Sequence, residues 1–148
     1  MTLLAADEPP PFIEERLQGR SNMVIVVDHA GPRIPRSLGD LGLPPEELRR
    51  HIAWDIGALA VARRMSALLD APLVAQPYSR LVIDCNRDPR VATSIPTVSE
   101  WLEIPGNAQL SEADRRARRA EIFEPYHARV RGVLEGRLQT SWPRRFAK

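Results

Sequence analysis

An apolar run that stops abruptly at a polar loop is the feature that most limits how this chain can fold. Met23–Val27 is continuously apolar, and the following segment, 28–35, contains one glycine and two prolines. The run is typical of a buried strand, and the glycine and prolines exclude a helix directly after it. Because α/β sheets carry functional groups at the carboxyl ends of their strands, His29 is a candidate for chemistry. A hydrogen-bonded structural histidine is the alternative.

A second short apolar run lies between two arginines. Leu81–Ile83 is expected to form a buried strand, because β-branched residues suit a pleated core surface and the run is too short for a helix. Arg80 and Arg87 would then lie at its two ends, with the amide of Asn86 beside Arg87. Guanidinium and amide donors together suit the binding of a carboxylate or the polarisation of a carbonyl. The alternative is that both arginines form structural ion pairs with neighbouring acids, Asp84 and Asp88.

A third candidate is a carboxylate at the start of a helix. Apolar residues recur at helical spacing over Asp55–Leu69, which predicts a helix that begins at Asp55. As an N-cap, this carboxylate would accept hydrogen bonds from the first turn and face the positive end of the helix dipole. As a functional group, it would bind a metal ion or orient His29.

The rest of the chain alternates between strand and helix patterns. Leu73–Ala75 predicts a further strand, and the overall class is α/β: a small, mostly parallel sheet with packed helices. Short helices are expected at 12–18 and 44–51, and a loop at 88–109 is long enough to cover a site. Ser111 begins a long helix with Asp114 as the capping-box acid and a kink at Pro125. Arginines 115, 116, 118 and 119 are expected on its solvated face, and His127 in core hydrogen bonds.

Composition restricts the class of protein. A chain of 148 residues suits one domain, predicted at 20–138 between a flexible segment, 1–19, and a basic tail, 139–148. The net charge of +2 is spread along the chain, which argues against a nucleic-acid partner. The single cysteine indicates a reducing cytoplasm, and neither a membrane-spanning stretch nor a signal peptide is expected.

Taken together, these segments resemble the N-formylglutamate amidohydrolase family. The similarity extends over roughly residues 20 to 135. The matching segments occur in the family's order: His29–Pro35, Asp40–Leu43, His51–Ala58, Tyr78–Asp84, Asn86–Arg87, Ile104–Asn107 and Glu124–His127.

The resemblance implies a bacterial hydrolase of the zinc carboxypeptidase type. Such an enzyme cleaves the formamide of N-formyl-L-glutamate, a small acidic substrate, to formate and L-glutamate. His29 and Asp55 would bind one zinc ion, and Asn86 and Arg87 would bind a substrate carboxylate. Arg80 would bind substrate or stabilise the oxyanion.

One departure from the family pattern has a chemical consequence. Family members carry a later histidine ligand and a general base, whereas this chain has no histidine after His127 and no acid after Glu135. The chain thus resembles roughly the first half of the family fold. The second hypothesis is therefore a non-catalytic remnant or a small carboxylate-binding protein. An incomplete sheet would also leave an open edge, which favours self-association into a homo-oligomer.

Overall fold

Three short strands form the central sheet. The structure is a computed structural model that describes residues 2–141, with side chains described as far as residue 138. β1 (Ile13–Glu15), β2 (Ile25–Val27) and β3 (Leu73–Ala75) lie in the order β1-β3-β2. β2 pairs with β3 in parallel and β1 pairs with β3 antiparallel. The expectation of a mostly parallel sheet is therefore correct only for β2 and β3.

β1 replaces a helix that was expected at residues 12–18. Ile13–Glu15 pairs residue by residue with β3, from Ile13 opposite Ala75 to Glu15 opposite Leu73. Pairing to a fully buried strand outweighs the local preference of so short a segment. Further upstream, Leu3 is buried and its N–H donates to the carboxylate of Glu121. Residues 1–19 were expected to be flexible, but Leu3 and Ile13–Glu15 are attached to the core. The predicted domain boundary at residue 19 stays a prediction.

A single long helix connects the two parallel strands. α1 (Ala58–Leu69) packs on β2 and β3 through Ala62 and Ser66. It begins after Gly57, whose φ of +85° is a conformation that favours glycine. Asp55 lies before this start and makes no capping hydrogen bond, so the N-cap interpretation of its carboxylate is wrong. The helix expected at 44–51 is reduced to one 3₁₀ turn, Glu47–Arg49.

The segment Leu81–Ile83 is fully buried but is not a strand. The hydroxyl of Ser79 accepts the Leu81 N–H at 3.1 Å. Asn107 donates its side-chain amide to the Leu81 carbonyl at 2.8 Å, and Arg118 donates to the Val82 carbonyl at 3.0 Å. Buried backbone groups need partners, and here side chains supply them instead of a sheet ladder. The strand prediction failed because those side chains come from elements distant in sequence.

Residues 88–110 form a structured cover over this segment. They contain two 3₁₀ turns, Ala92–Ser94 and Pro105–Asn107, and a two-stranded antiparallel hairpin of β4 (Val98–Ser99) and β5 (Leu102–Glu103). Asn107 is buried and its amide donates to the carbonyls of Leu81 and Pro96. The expected long loop thus has its own internal pairing and is anchored to the core.

The C-terminal helices begin as predicted. Ser111 and Asp114 form the capping box at the start of α2 (Glu112–Arg118). One wide π-helical segment, Arg119–Phe123, leads into α3 (Glu124–Ser141). A kink was expected at Pro125, and the irregular segment ends two residues before that proline. The expected tail, 139–148, continues α3 as far as Ser141; residues 142–148 lie outside the described part.

One arginine of these helices lies in the core rather than on the solvated face. Arg118 is completely buried and donates to the Val82 carbonyl and, at 2.7 Å, to the side-chain oxygen of Asn107. Burial lowers the pKa of Arg118 to about 10. Between residues 2 and 141, no helix is long and apolar enough to cross a membrane.

Candidate active site

His29 lies directly beyond β2, held between two carboxylates. Its ring is buried, with Nε2 at 2.7 Å from Asp84 Oδ1 and Nδ1 at 3.4 Å from Asp55 Oδ2. The following Gly31 packs so closely on the neighbouring chain that a Cβ there would lie 2.6 Å from the Pro77 carbonyl oxygen. The loop that carries the imidazole is therefore fixed by its backbone.

Asp84 is the centre of the hydrogen-bond network. Besides His29, it accepts the Asn86 N–H at 3.0 Å and is paired with Arg80 and Arg87, each at 3.1 Å. Burial alone would raise the pKa of Asp84, but the His29 and Asn86 hydrogen bonds and the charge of Arg80 hold it well below its usual range. Asp84 is therefore an ionised acceptor, and His29 Nε2 is the donor to it.

This tautomer has a consequence for the other ring nitrogen. When Nε2 of a neutral imidazole carries the proton, Nδ1 presents a lone pair. That lone pair faces the carboxylate of Asp55 at 3.4 Å, so two electron-rich atoms meet. A cation between them, either a proton or a metal ion, would stabilise the arrangement.

Asp55 is brought to His29 by main-chain contacts. Its N–H donates to the His29 carbonyl at 3.0 Å, and the preceding Ala53 carbonyl accepts the Arg80 N–H at 3.1 Å. The Ser79 hydroxyl donates to the same carbonyl. These bonds join three loops, so that Arg80 reaches Asp55 as well as Asp84, with an ion pair to Asp55 at 3.5 Å.

Two cavities flank this network. The first, which we call the arginine cavity, has a volume of about 460 Å³ and contains Arg80, Arg87 and Arg115. Asp84 lies in its wall, and residues 92–93 and 95–100 form its cover. Arg115 is half-buried there, contrary to the prediction of a solvated position.

The second, which we call the apolar cleft, is a more open space of about 640 Å³ along β2 and the start of α1. His29, Asp55 and Asn86 line it, together with apolar side chains such as Val61 and Met65. Asn86 and Arg87 were expected to act together. In the structure they line different cavities: Asn86 lines the apolar cleft, and Arg87 lines the arginine cavity.

The structure thus brings together all five predicted site residues, His29, Asp55, Arg80, Asn86 and Arg87, around one that was not predicted. Asp84 was considered only as an ion-pair partner. Its ion pairs with Arg80 and Arg87 are present, whereas Asp88 pairs with Arg90 instead. A useful signal was available in the sequence, because an Asp side chain commonly accepts the backbone N–H two residues further on, as Asp84 does from Asn86.

The other histidines lie away from the His29–Asp55 pair. His127 contacts the Cys85 carbonyl at 2.9 Å, as expected for a core histidine. His51 pairs with Glu100 at the rim of the arginine cavity. Among the described residues, no group of three or more His, Cys, Asp or Glu side chains could hold a metal ion.

Two comparisons with known proteins find similarity over most of this chain. The family model for N-formylglutamate amidohydrolase matches residues 21–145. A solved crystal structure of a gene product from Agrobacterium tumefaciens superposes with a TM-score of 0.90 at 40% sequence identity. The match covers 93% of this chain and 55% of that one, so this chain spans about half the length of its structural relative. A search of curated proteins gives no significant match.

Proposed function

Because the chain belongs to the N-formylglutamate amidohydrolase family, we propose that it contributes to hydrolysis of the formamide C–N bond of N-formyl-L-glutamate. The products would be formate and L-glutamate. The observation that carries the proposal is the position of the His29–Asp55 pair beside a cavity that contains three arginines. That arrangement offers two metal-binding atoms next to cationic groups for an acidic substrate.

The donor atoms of His29 and Asp55 suit zinc. Two ligand atoms bonded to one tetrahedral zinc ion at 2.0–2.1 Å lie about 3.3 Å from each other. The observed separation between His29 Nδ1 and Asp55 Oδ2 is 3.4 Å. Asp84 would act behind His29, because a carboxylate that accepts the second ring N–H orients the ligand and increases its basicity. Zinc bound here would supply Lewis acidity and a nucleophilic water at neutral pH.

Arg80 and Arg87 would have different roles toward the substrate. Arg87 uses its Nε to reach Asp84, and its terminal nitrogens face the arginine cavity, where one contacts the Thr93 hydroxyl at 3.3 Å. These donors would bind a substrate carboxylate, while Asn86, which lines the neighbouring cleft, would offer its amide to the part of the substrate on that side. Arg80, which lies between Asp55 and Asp84, would stabilise negative charge that develops on the formyl oxygen.

A second candidate function follows from the number of metal ligands. Catalytic zinc sites normally have three protein ligands, and the described residues provide two. The arginine cavity does not depend on that third ligand. A carboxylate-binding protein that does not hydrolyse its ligand is therefore the alternative.

Formate release and ligand binding separate these two functions. The purified chain is given one equivalent of zinc and N-formyl-L-glutamate, and formate is measured alongside calorimetric binding. We expect slow zinc-dependent release, because the described residues supply two of the usual three zinc ligands, and loss of release in His29→Ala. His127→Gln is the matched control, since His127 lines neither cavity and a glutamine amide can still donate to the Cys85 carbonyl; it should leave release unchanged. Binding of N-formyl-L-glutamate without any formate would support the carboxylate-binding alternative.

A further inference from the structure

Arg115 differs from the other two arginines of the arginine cavity. Arg80 and Arg87 are both paired with Asp84. Arg115 is half-buried in the same cavity, yet its guanidinium makes no ion pair or hydrogen bond with any side chain in the described part of the chain. A partly desolvated guanidinium with unused donors favours an anion from solution.

None of the acids around Arg115, including Glu112 one turn earlier on α2, forms an ion pair with it in the described part of the chain, and two of them are held by other residues. Asp114 is held by Ser111 in the capping box. Glu100, the acid of the cavity cover, is hydrogen-bonded to His51 at 2.9 Å and to Arg50 at 2.8 Å. The hydrogen bond from His51 and the charge of Arg50 hold the pKa of Glu100 below its usual range. The cavity therefore presents a positive charge that the protein itself does not neutralise.

The lining of the cavity suits a short hydrocarbon chain. Besides the arginines, it includes the apolar residues Ile52, Leu81, Ala92, Ile95, Pro96 and Val98. A volume of about 460 Å³ is within the usual range for a small-molecule site. A cavity that combines several cations with apolar residues matches a molecule with two carboxylates joined by methylene groups.

We propose that Arg115 binds the side-chain carboxylate of the substrate and so selects N-acylated acidic amino acids over neutral ones. This inference takes the identity of the reaction from the proposed function, whereas the binding of a dicarboxylate does not depend on that function. Arg87 would hold the other carboxylate, and the two methylenes of a glutamyl side chain would lie along the apolar walls. Arg115 is then a specificity-determining residue supplied by α2, about 30 positions from Arg87 in sequence.

Binding of glutarate and glutaramate tests the proposal without hydrolysis. The two probes have the same length, but glutaramate carries an amide in place of one carboxylate. The unmodified chain should bind glutarate about 10- to 100-fold more tightly, the value of one charge-assisted contact. Arg115→Met should remove this preference while leaving glutaramate binding unchanged, and Arg115→Lys should restore part of it. Calorimetry or NMR titration measures both affinities.

Arg116→Met is the matched control, because Arg116 is the next residue of the helix, is exposed and does not line the cavity. It should keep the full preference for glutarate. An Arg115→Met chain that still prefers glutarate, or an unmodified chain that binds both probes equally, would overturn the proposal. If the chain prefers glutarate but releases no formate, the role of Arg115 in binding is supported and the proposed reaction is contradicted.

Discussion

The two cavities beside His29 differ in how completely the chain encloses them. The arginine cavity has a cover, residues 92–100, that is tied to the core through Asn107 and to the rim through Glu100. The apolar cleft lies along β2, which is one of the two edge strands of the sheet, and has no comparable cover among residues 2–141. The comparison teaches that residues 2–141 enclose the arginine-lined side of the site, whereas the side lined by His29 and Asp55 is open.

The open side is also where apolar surface is exposed. Val61 is 59% exposed and Leu68 is 86% exposed on the outer face of α1, and Val26 is 40% exposed on β2. An edge strand beside exposed apolar side chains is a surface that association covers. The self-association predicted from the sequence, if it occurs, should therefore involve the apolar cleft and not the arginine cavity.

Replacement of Asp84 should have the largest effect, because Asp84 supports both cavities. Asp84→Asn removes the buried charge that pairs with Arg80 and Arg87, and it presents an amide to three donors. We expect a loss of about 3 kcal/mol in unfolding free energy and a 10- to 100-fold loss of zinc affinity. Urea melts and zinc titration measure these. Asp88→Asn, which removes only an exposed pair with Arg90, should change neither.

The next largest effect should come from Arg118, which supports only the arginine cavity. Arg118→Met leaves the Val82 carbonyl and the Asn107 side-chain oxygen without their donor. The expected loss is about 2 kcal/mol of unfolding free energy, with weaker glutarate binding. Hydrogen exchange should increase in residues 81–84 and 92–107 and stay unchanged in β2. Equal increases around both cavities would contradict the distinction between them.

Cys85 is a buried thiol between Asp84, which lines the arginine cavity, and Asn86, which lines the apolar cleft. Burial raises the pKa of its thiol to about 12. The thiol of the unfolded chain ionises near pH 9, so the stability that this group contributes is complete below pH 9 and decreases above it. The unmodified chain should lose about 1.4 kcal/mol more per pH unit above pH 9 than Cys85→Ala. Melts at pH 8 to 10.5 test this, and iodoacetamide should not label the native thiol at pH 8.

The smallest effect on stability should come from the open face. Leu68→Glu places a charge on a side chain that is already 86% exposed, so unfolding free energy should change by less than about 0.5 kcal/mol. Light scattering should nevertheless show reduced self-association. Glu46→Leu is the control, because it adds apolar surface at an exposed turn outside α1. It should not increase the self-association that light scattering measures. Unchanged association in Leu68→Glu would mean that the exposed apolar face of α1 beside the cleft is not the contact surface.

Local pattern predicted those parts of the fold that local interactions decide. Leu73–Ala75 has the predicted bounds, and the Ser111–Asp114 capping box is an interaction between neighbours. Leu81–Ile83 and residues 12–18 were predicted incorrectly because their partners lie far away in sequence: Asn107 and Arg118 in one case, β3 in the other.

The candidate site follows the same rule. Its residues were predicted because each lies at one end of a recognisable apolar run or at the start of a predicted helix, and the structure brings them together. The position of Asp84 at the centre, the division of Asn86 from Arg87 and the burial of Arg115 depend on how three loops and α2 pack. No local pattern contains that information.

The wide turn at Arg119–Phe123 sets the rotation of everything that follows it. Arg118, Ile122 and Tyr126 are spaced four residues apart and are all buried, although a regular α-helix would rotate each successive side chain about 40° further round. The π turn accommodates part of that drift, as a one-residue insertion would. Removing one residue within this turn would let the helix return to regular α geometry with little change in the direction that α3 faces. Tyr126 would still reach Asp28, and His127 would still reach Cys85. The same deletion further along α3 would instead rotate all following side chains by about 100°, so the wide turn is the place in this helix where a change of length is best tolerated.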